Sequence, residues 1–246
     1  HFRCGRPWHP YGITVALPDC ADNEGPLGTA APLQNTLNYG NPAQPHSTEN
    51  WPTFPNQSKD NLNYEGMYYR WVERVYKAGL RLMVMGVNEN RVLCELYPFK
   101  QNDCDEMTSV RLQNRDLNAL QDYIDAQNGG PGGGWFRIVT SPEQARRVIA
   151  RGKLAVVKGI EVSEPFGCRV QNEQPKCTRA DIDRELAEVH AMGVRQMELV
   201  NKFDNALSGV AGDEGTTGVA VDSANFLETG TFWAMEHCEP ADGESA

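Results

Sequence analysis

Long apolar runs are missing from this 246-residue chain. The best one, Leu80 to Val87, is interrupted by Arg81 and falls well short of the roughly 18 apolar residues of a spanning helix, so no membrane span is expected. Basic clusters are missing too. Lys and Arg total 23 against 33 Asp and Glu, a net charge of −10, so no nucleic-acid or anionic-membrane partner is expected. Histidine is scarce, at five residues, and no His-x-Asp or His-x-His motif occurs. No repeat of solenoid period is present. No signal peptide is visible, and the chain opens on His1 rather than Met, as a processed or excised sequence does, with its leader left open. What remains, 40% hydrophobic and 23% charged residues, is ordinary globular composition.

Cysteine, by contrast, is plentiful. The seven residues lack zinc-finger spacing and fall as three local pairs, Cys4/Cys20, Cys94/Cys104 and Cys168/Cys177, each bracketing a polar or proline-containing loop. Three loop-closing disulfides and a secreted or otherwise extracytoplasmic location are expected, each bridge worth roughly 2–4 kcal/mol. Seven reduced structural cysteines are the alternative. Cys238 is left over, either as a free thiol or with its partner in sequence not present here. Asn56-Gln57-Ser58 fits a glycosylation acceptor, a pattern that also arises by chance.

A single domain is expected over 1–246: a loop-rich lead over 1–64, βα units over 65–206 and a loop-rich tail over 207–246. In the lead only "YGITVAL", Tyr11 to Leu17, reads as a strand. Tyr68, Trp71, Val72, Val75 and Tyr76 then recur at helical spacing, Gly79 stops that helix, and "LRLMVMGV" reads as a buried strand. A second helix is expected over about Ser109 to Ala126, ended by the glycines of 129–134. "WFRIV" is a strand, and Ser141-Pro142-Glu143-Gln144 supplies a cap, a first-turn proline and a capping-box partner for the next helix. After Gly152 comes the strand Leu154 to Glu161, then a helix opened by Thr178 or Asp181 with Ile182, Leu186 and Val189 inward, then "VRQMELV". Short helix-to-strand links imply parallel pairing and an α/β fold. Four firm strands stand against the eight of a closed barrel, so the chain is either part of a (β/α)₈ TIM barrel or a smaller open sheet, and the partial barrel is favoured.

In parallel α/β folds, functional groups gather at the carboxyl ends of strands. Three such ends are polar here: Asn88-Glu89, the stretch from Glu161 to Glu164, and Asn201-Lys202-Phe203-Asp204-Asn205. The opposite junctions are plain glycine stops at Gly79, Gly152 and Gly193. The stretch "GKLAVVKGIEVSEPFGC" poses the sharpest question, because an apolar strand ends on a carboxylate, Glu161. That side chain can ligate a metal, act as general acid or base, or simply pair with Lys202 or Arg169.

"FRIVTSPEQARRVIARGKLAVVKGIEVSE", followed by "LAEVHAMGVRQMELVNKFDNAL", resembles the central part of the membrane-dipeptidase family of amidohydrolase-like metal-dependent hydrolases. The similarity covers about residues 134–206, and its elements "GKLAVVKGIE" and "AMGVRQMEL" are moderately specific together. The resemblance implies a (β/α)₈ barrel with two divalent cations, usually zinc. It implies that Glu161 bridges them and that metal-activated water hydrolyses amide or peptide bonds of a small-molecule or peptide substrate. Asn201 stands where the family carries a substrate-contacting histidine, and the other family ligands would lie upstream of His1 and beyond Ala246. Asn88, Glu164, Asn201, Lys202 and Asp204 are the candidate substrate-binding residues.

Other histidines read as structural or exposed: His190 on its helix, His9 packed among aromatics and prolines, His46 and His237 in polar stretches. His1 is kept open as the end of a barrel-entry motif. Glu198 faces either the interior, supporting Glu161, or Arg195 outside. Two other functions stay in view: a glycoside hydrolase using Glu161 with another carboxylate, and a secreted binding domain whose rim is filled by Trp8, Phe166 and Phe203.

Overall fold

The computed structural model describes residues 7–16, 35, 39–43, 68–97, 100 and 102–234. Cys4, Cys20, Cys238, His1, His46, His237 and Asn56 lie outside the described residues. Two of the expected bridges are formed, Cys94–Cys104 and Cys168–Cys177. No helix among the described residues is long and apolar enough to cross a membrane.

The elements run α1 (Ile13–Ala16), α2 (Tyr69–Lys77), β1 (Leu82–Glu89), α3 (Arg91–Leu96), α4 (Glu106–Ala126), β2 (Phe136–Val139), α5 (Pro142–Ala150) and β3 (Leu154–Val162). After a short 3₁₀ turn at Pro165–Gly167 come β4 (Val170–Gln171), β5 (Gln174–Pro175), α6 (Arg179–Ala191), β6 (Val194–Met197) and α7 (Gly215–Thr229). The strand expected at Tyr11 to Leu17 is instead the turn of helix α1, which begins where Gly12 adopts a positive φ and its carbonyl accepts from Ala16.

Helix α4 starts three residues before the expected Ser109, because Asp105 accepts from the Thr108 amide at 2.7 Å as N-cap. Thr178, not Asp181, caps α6, and the two close a capping box. Leu186 of α6 is 47% exposed rather than inward, whereas Val189 is buried. Residues 207–234 are not all loop, since α7 fills half of that span.

Every pairing in the main sheet is parallel. β1 lies along β3 from Leu82 opposite Ala155 to Glu89 opposite Val162. β2 pairs with residues 154–157 of β3 and β6 with residues 158–160, so these two share the edge that β1 leaves. The result is a mixed α/β fold around an open parallel sheet. Neighbours in a barrel follow chain order, whereas β1 here pairs with β3 and skips β2, and closure is not shown.

The alternation of β3 explains the core. Leu154 and Val156 point into one apolar cluster with Trp71, Leu120 and Ile124; Ile160 and Val162 point into a second with Val110, Leu117 and Val189. Lys158 sits between them, buried, with its Nζ donating to the Met192 carbonyl at 3.0 Å. Because the strands are parallel, the ends of β1 and β3 come side by side, and the polar stretches that follow them meet on one rim.

Candidate functional site

Three carboxylates that lie far apart in sequence converge at this rim. Glu106 opens α4, Glu164 follows the end of β3, and Glu228 stands in the last turn of α7. They are 1%, 4% and 2% exposed, and one oxygen from each lies within 4.8 Å of the others.

Each is held differently. Glu106 accepts from the Arg91 amide at 2.9 Å and from the Glu164 amide at 2.6 Å. Glu164 is gripped by two guanidiniums: Arg91 Nε and Nη2, and Arg169 Nε, each stand 3.0 Å from its Oε1. Glu228 has neither carboxylate oxygen hydrogen-bonded. A buried ionised group without partners is costly, so its proton or a cation must compensate it. Burial, with the charges of Glu164 and Glu106 added, pushes the Glu228 carboxyl up to about 9. Burial, with Glu164 beside it, pushes Glu106 up to about 8.

Both disulfides brace this cluster. Cys94–Cys104 ties α3, which carries Arg91, to the segment just before Glu106. Cys168–Cys177 ties the turn after Glu164 to the strand pair β4–β5 and the start of α6. Around the carboxylates, Asn90 donates to Ser163 Oγ at 2.6 Å and Ser163 donates to the Asn201 carbonyl at 2.6 Å. That chain joins the ends of β1, β3 and β6. Glu89, also buried, accepts from Ser109 Oγ at 2.9 Å. A cleft of 270 Å³ reaches the cluster, with Arg91, Asp103, Glu106, Glu164 and Arg169 among its walls. A larger depression of 420 Å³ runs along Thr108, Arg111 and Arg115 and touches none of the three carboxylates.

The residues expected from sequence are only partly drawn together. Glu164 is in the cluster. Glu161 points elsewhere: it accepts from Asn201 Nδ2 at 3.3 Å and lies over Gly86, with 3.8 Å between its Oε2 and the Cβ position there. It pairs with neither Lys202 nor Arg169, since Lys202 binds Asp213 at 2.9 Å and Arg169 binds Glu164. Asp204 accepts from the Val210 amide at 2.8 Å, a loop-forming contact, and Asn88 exchanges backbone hydrogen bonds with the Gln113 side chain. Glu198 is exposed beyond the end of β6. Phe166 and Phe203 are buried, and Trp8 stacks on Tyr123 at 4.4 Å, so these rings do not form a filled rim. His9 accepts from the Tyr11 amide at 3.2 Å.

Among the described residues, no cluster of three His, Cys, Asp or Glu side chains includes Glu161. The described residues around Glu161 therefore form no three-ligand set. The Glu106–Glu164–Glu228 cluster fits a cation better, with three convergent carboxylates and one of them wholly unpartnered. Glu106, Glu228 and Arg91 carried no sequence signal of function. No protein-family model, curated protein or solved structure matches the chain.

Proposed function

We propose that the chain is a metal-dependent hydrolase of amide or peptide bonds whose working centre is the Glu106–Glu164–Glu228 cluster rather than Glu161. One observation carries the reading: Glu228 is 2% exposed, has no hydrogen bond to either oxygen, and faces two further carboxylates at the carboxyl rim of a parallel sheet. The amide class rests on the membrane-dipeptidase resemblance over about residues 134–206. The barrel implied by that resemblance enters only as far as the open parallel sheet reaches.

Glu106, Glu164 and Glu228 would hold the cation, which supplies an activated water and polarises the scissile carbonyl. The chain's own groups do the rest. Arg91 and Arg169 pair with Glu164 and fix its orientation. The Arg91 and Glu164 amides lock Glu106. Arg169 is 36% exposed in its side chain on the cleft wall and has donors left for a substrate carbonyl or carboxylate. The bridges at Cys94 and Cys168 fit an oxidising, extracytoplasmic setting.

A second reading has its own observation. Carboxyl oxygens within 4.8 Å, one group pushed up to about 9 and another held by two arginines, form an acid and a base without any metal. Retaining glycosidases space their carboxyl groups at roughly 5 Å. The deciding experiment is turnover of dipeptide and glycoside substrates before chelation, after it, and after divalent cations are restored. Amide hydrolysis lost on chelation and restored by cations is the expected result. Chelator-resistant glycoside turnover favours the second reading, and no turnover of either class contradicts both.

A further inference from the structure

We infer that the Glu106–Glu164–Glu228 cluster is a site for one hard, oxygen-seeking divalent cation of the calcium or manganese class, not part of a two-zinc centre. The inference rests on the proposed function only for the place of the site.

The donor set decides the class. All three converging groups are carboxylates. The cysteines among the described residues, Cys94, Cys104, Cys168 and Cys177, are locked in disulfides and offer no thiolate. The two described histidines are committed elsewhere: His9 accepts from Tyr11 in the N-terminal turn, and His190 lies exposed in the last turn of α6. Zinc sites draw on imidazole and thiolate, whereas all-oxygen sets suit calcium, magnesium and manganese. Magnesium keeps most of its water, which a pocket of side chains 1–4% exposed leaves little room for.

The charge and the free lone pairs point the same way. Three carboxyl groups face only two guanidiniums, Arg91 and Arg169, and Glu89 is also buried, accepting from Ser109 Oγ. The arginines gather on Glu164 Oε1, and both oxygens of Glu228 stay open. Acidic clusters on protein surfaces are common without an ion, but a side chain 2% exposed and unpartnered, aimed at two others, is not a surface cluster.

The test is calorimetric titration of the metal-stripped full chain with CaCl₂, MnCl₂ and ZnCl₂, run on wild type, Glu228→Gln and Glu161→Gln. One equivalent of calcium or manganese is expected, weakened roughly tenfold or more by Glu228→Gln and unchanged by Glu161→Gln. Manganese anomalous scattering from wild-type crystals locates the ion without any variant, should Glu228→Gln fail to fold. A peak among the three carboxylates is expected. Two zinc ions lost in Glu161→Gln, a manganese peak elsewhere, or no uptake of calcium or manganese overturns the inference. The two-zinc outcome also moves the working centre of the proposed hydrolase to Glu161 and leaves only its metal-dependent amide chemistry standing. One bound ion without amide hydrolysis overturns the hydrolase reading and leaves this inference intact.

Discussion

Glu228 and Glu106 give the cation-free chain a defined pH response. Burial raises both carboxyls, to about 9 and about 8, well above the ordinary carboxylate value. A folded state that binds protons more tightly than the unfolded chain is favoured at low pH. Its contribution is full below the unfolded carboxyl pKa of about 4.3 and is lost as pH rises through the folded values. The melting temperature of the stripped protein should therefore fall between about pH 5 and pH 9. Glu228→Gln, which cannot ionise, should melt above wild type at the alkaline end and close to it at the acid end. Parallel melting curves for the two proteins across that range would contradict the account. Arg91 supplies a second residue-scale prediction. Its side chain is 12% exposed and its removal leaves the buried Glu164 with Arg169 alone. Arg91→Met should cost about 3 kcal/mol in urea unfolding; a cost below about 0.5 kcal/mol would mean that the pair is incidental.

At the scale of elements, caps and disulfides carry most of what local chemistry can fix. Thr178→Ala breaks the capping box of α6 and should cost about 1 kcal/mol by denaturant titration, because an N-terminal amide of the helix loses its acceptor. Replacing Cys94 and Cys104 by Ser opens a loop of sequence separation 10 and should cost roughly 2–3 kcal/mol, read in the same way. Because that bridge joins α3 to the start of α4, the double variant should also loosen Arg91 relative to Glu106, seen as faster amide exchange at Arg91. These elements were readable from sequence because their signals are short-range: Ser141-Pro142 and Thr178-x-x-Asp181 announce helix starts, and Gly152 and Gly193 announce stops. Helix α7 was not readable. Its buried face is Gly218, Asn225, Glu228 and Thr229, and its exposed face includes Val219, Phe226 and Leu227. A helix that buries polar groups inverts the hydrophobic periodicity on which sequence reading depends.

For the molecule as a whole, the parallel sheet and its polar rim followed from the spacing of strands and the charged residues after them. The partners of β3 did not, because consecutive βα units fit more than one strand order and only long-range packing selects one. The site shows the same division. Glu164 was legible as a rim carboxylate, three residues from the more conspicuous Glu161. Glu106 and Glu228 reach it from the start of α4 and the end of α7, across 58 and 64 residues of sequence, and no local pattern encodes such a meeting. The central claim is that this meeting is where hydrolysis happens. The most direct test is the rate of dipeptide hydrolysis by Glu228→Gln, with its fold checked by circular dichroism. The account predicts a folded protein slowed by about 100-fold or more relative to wild type. A folded Glu228→Gln protein that turns over at the wild-type rate would contradict it.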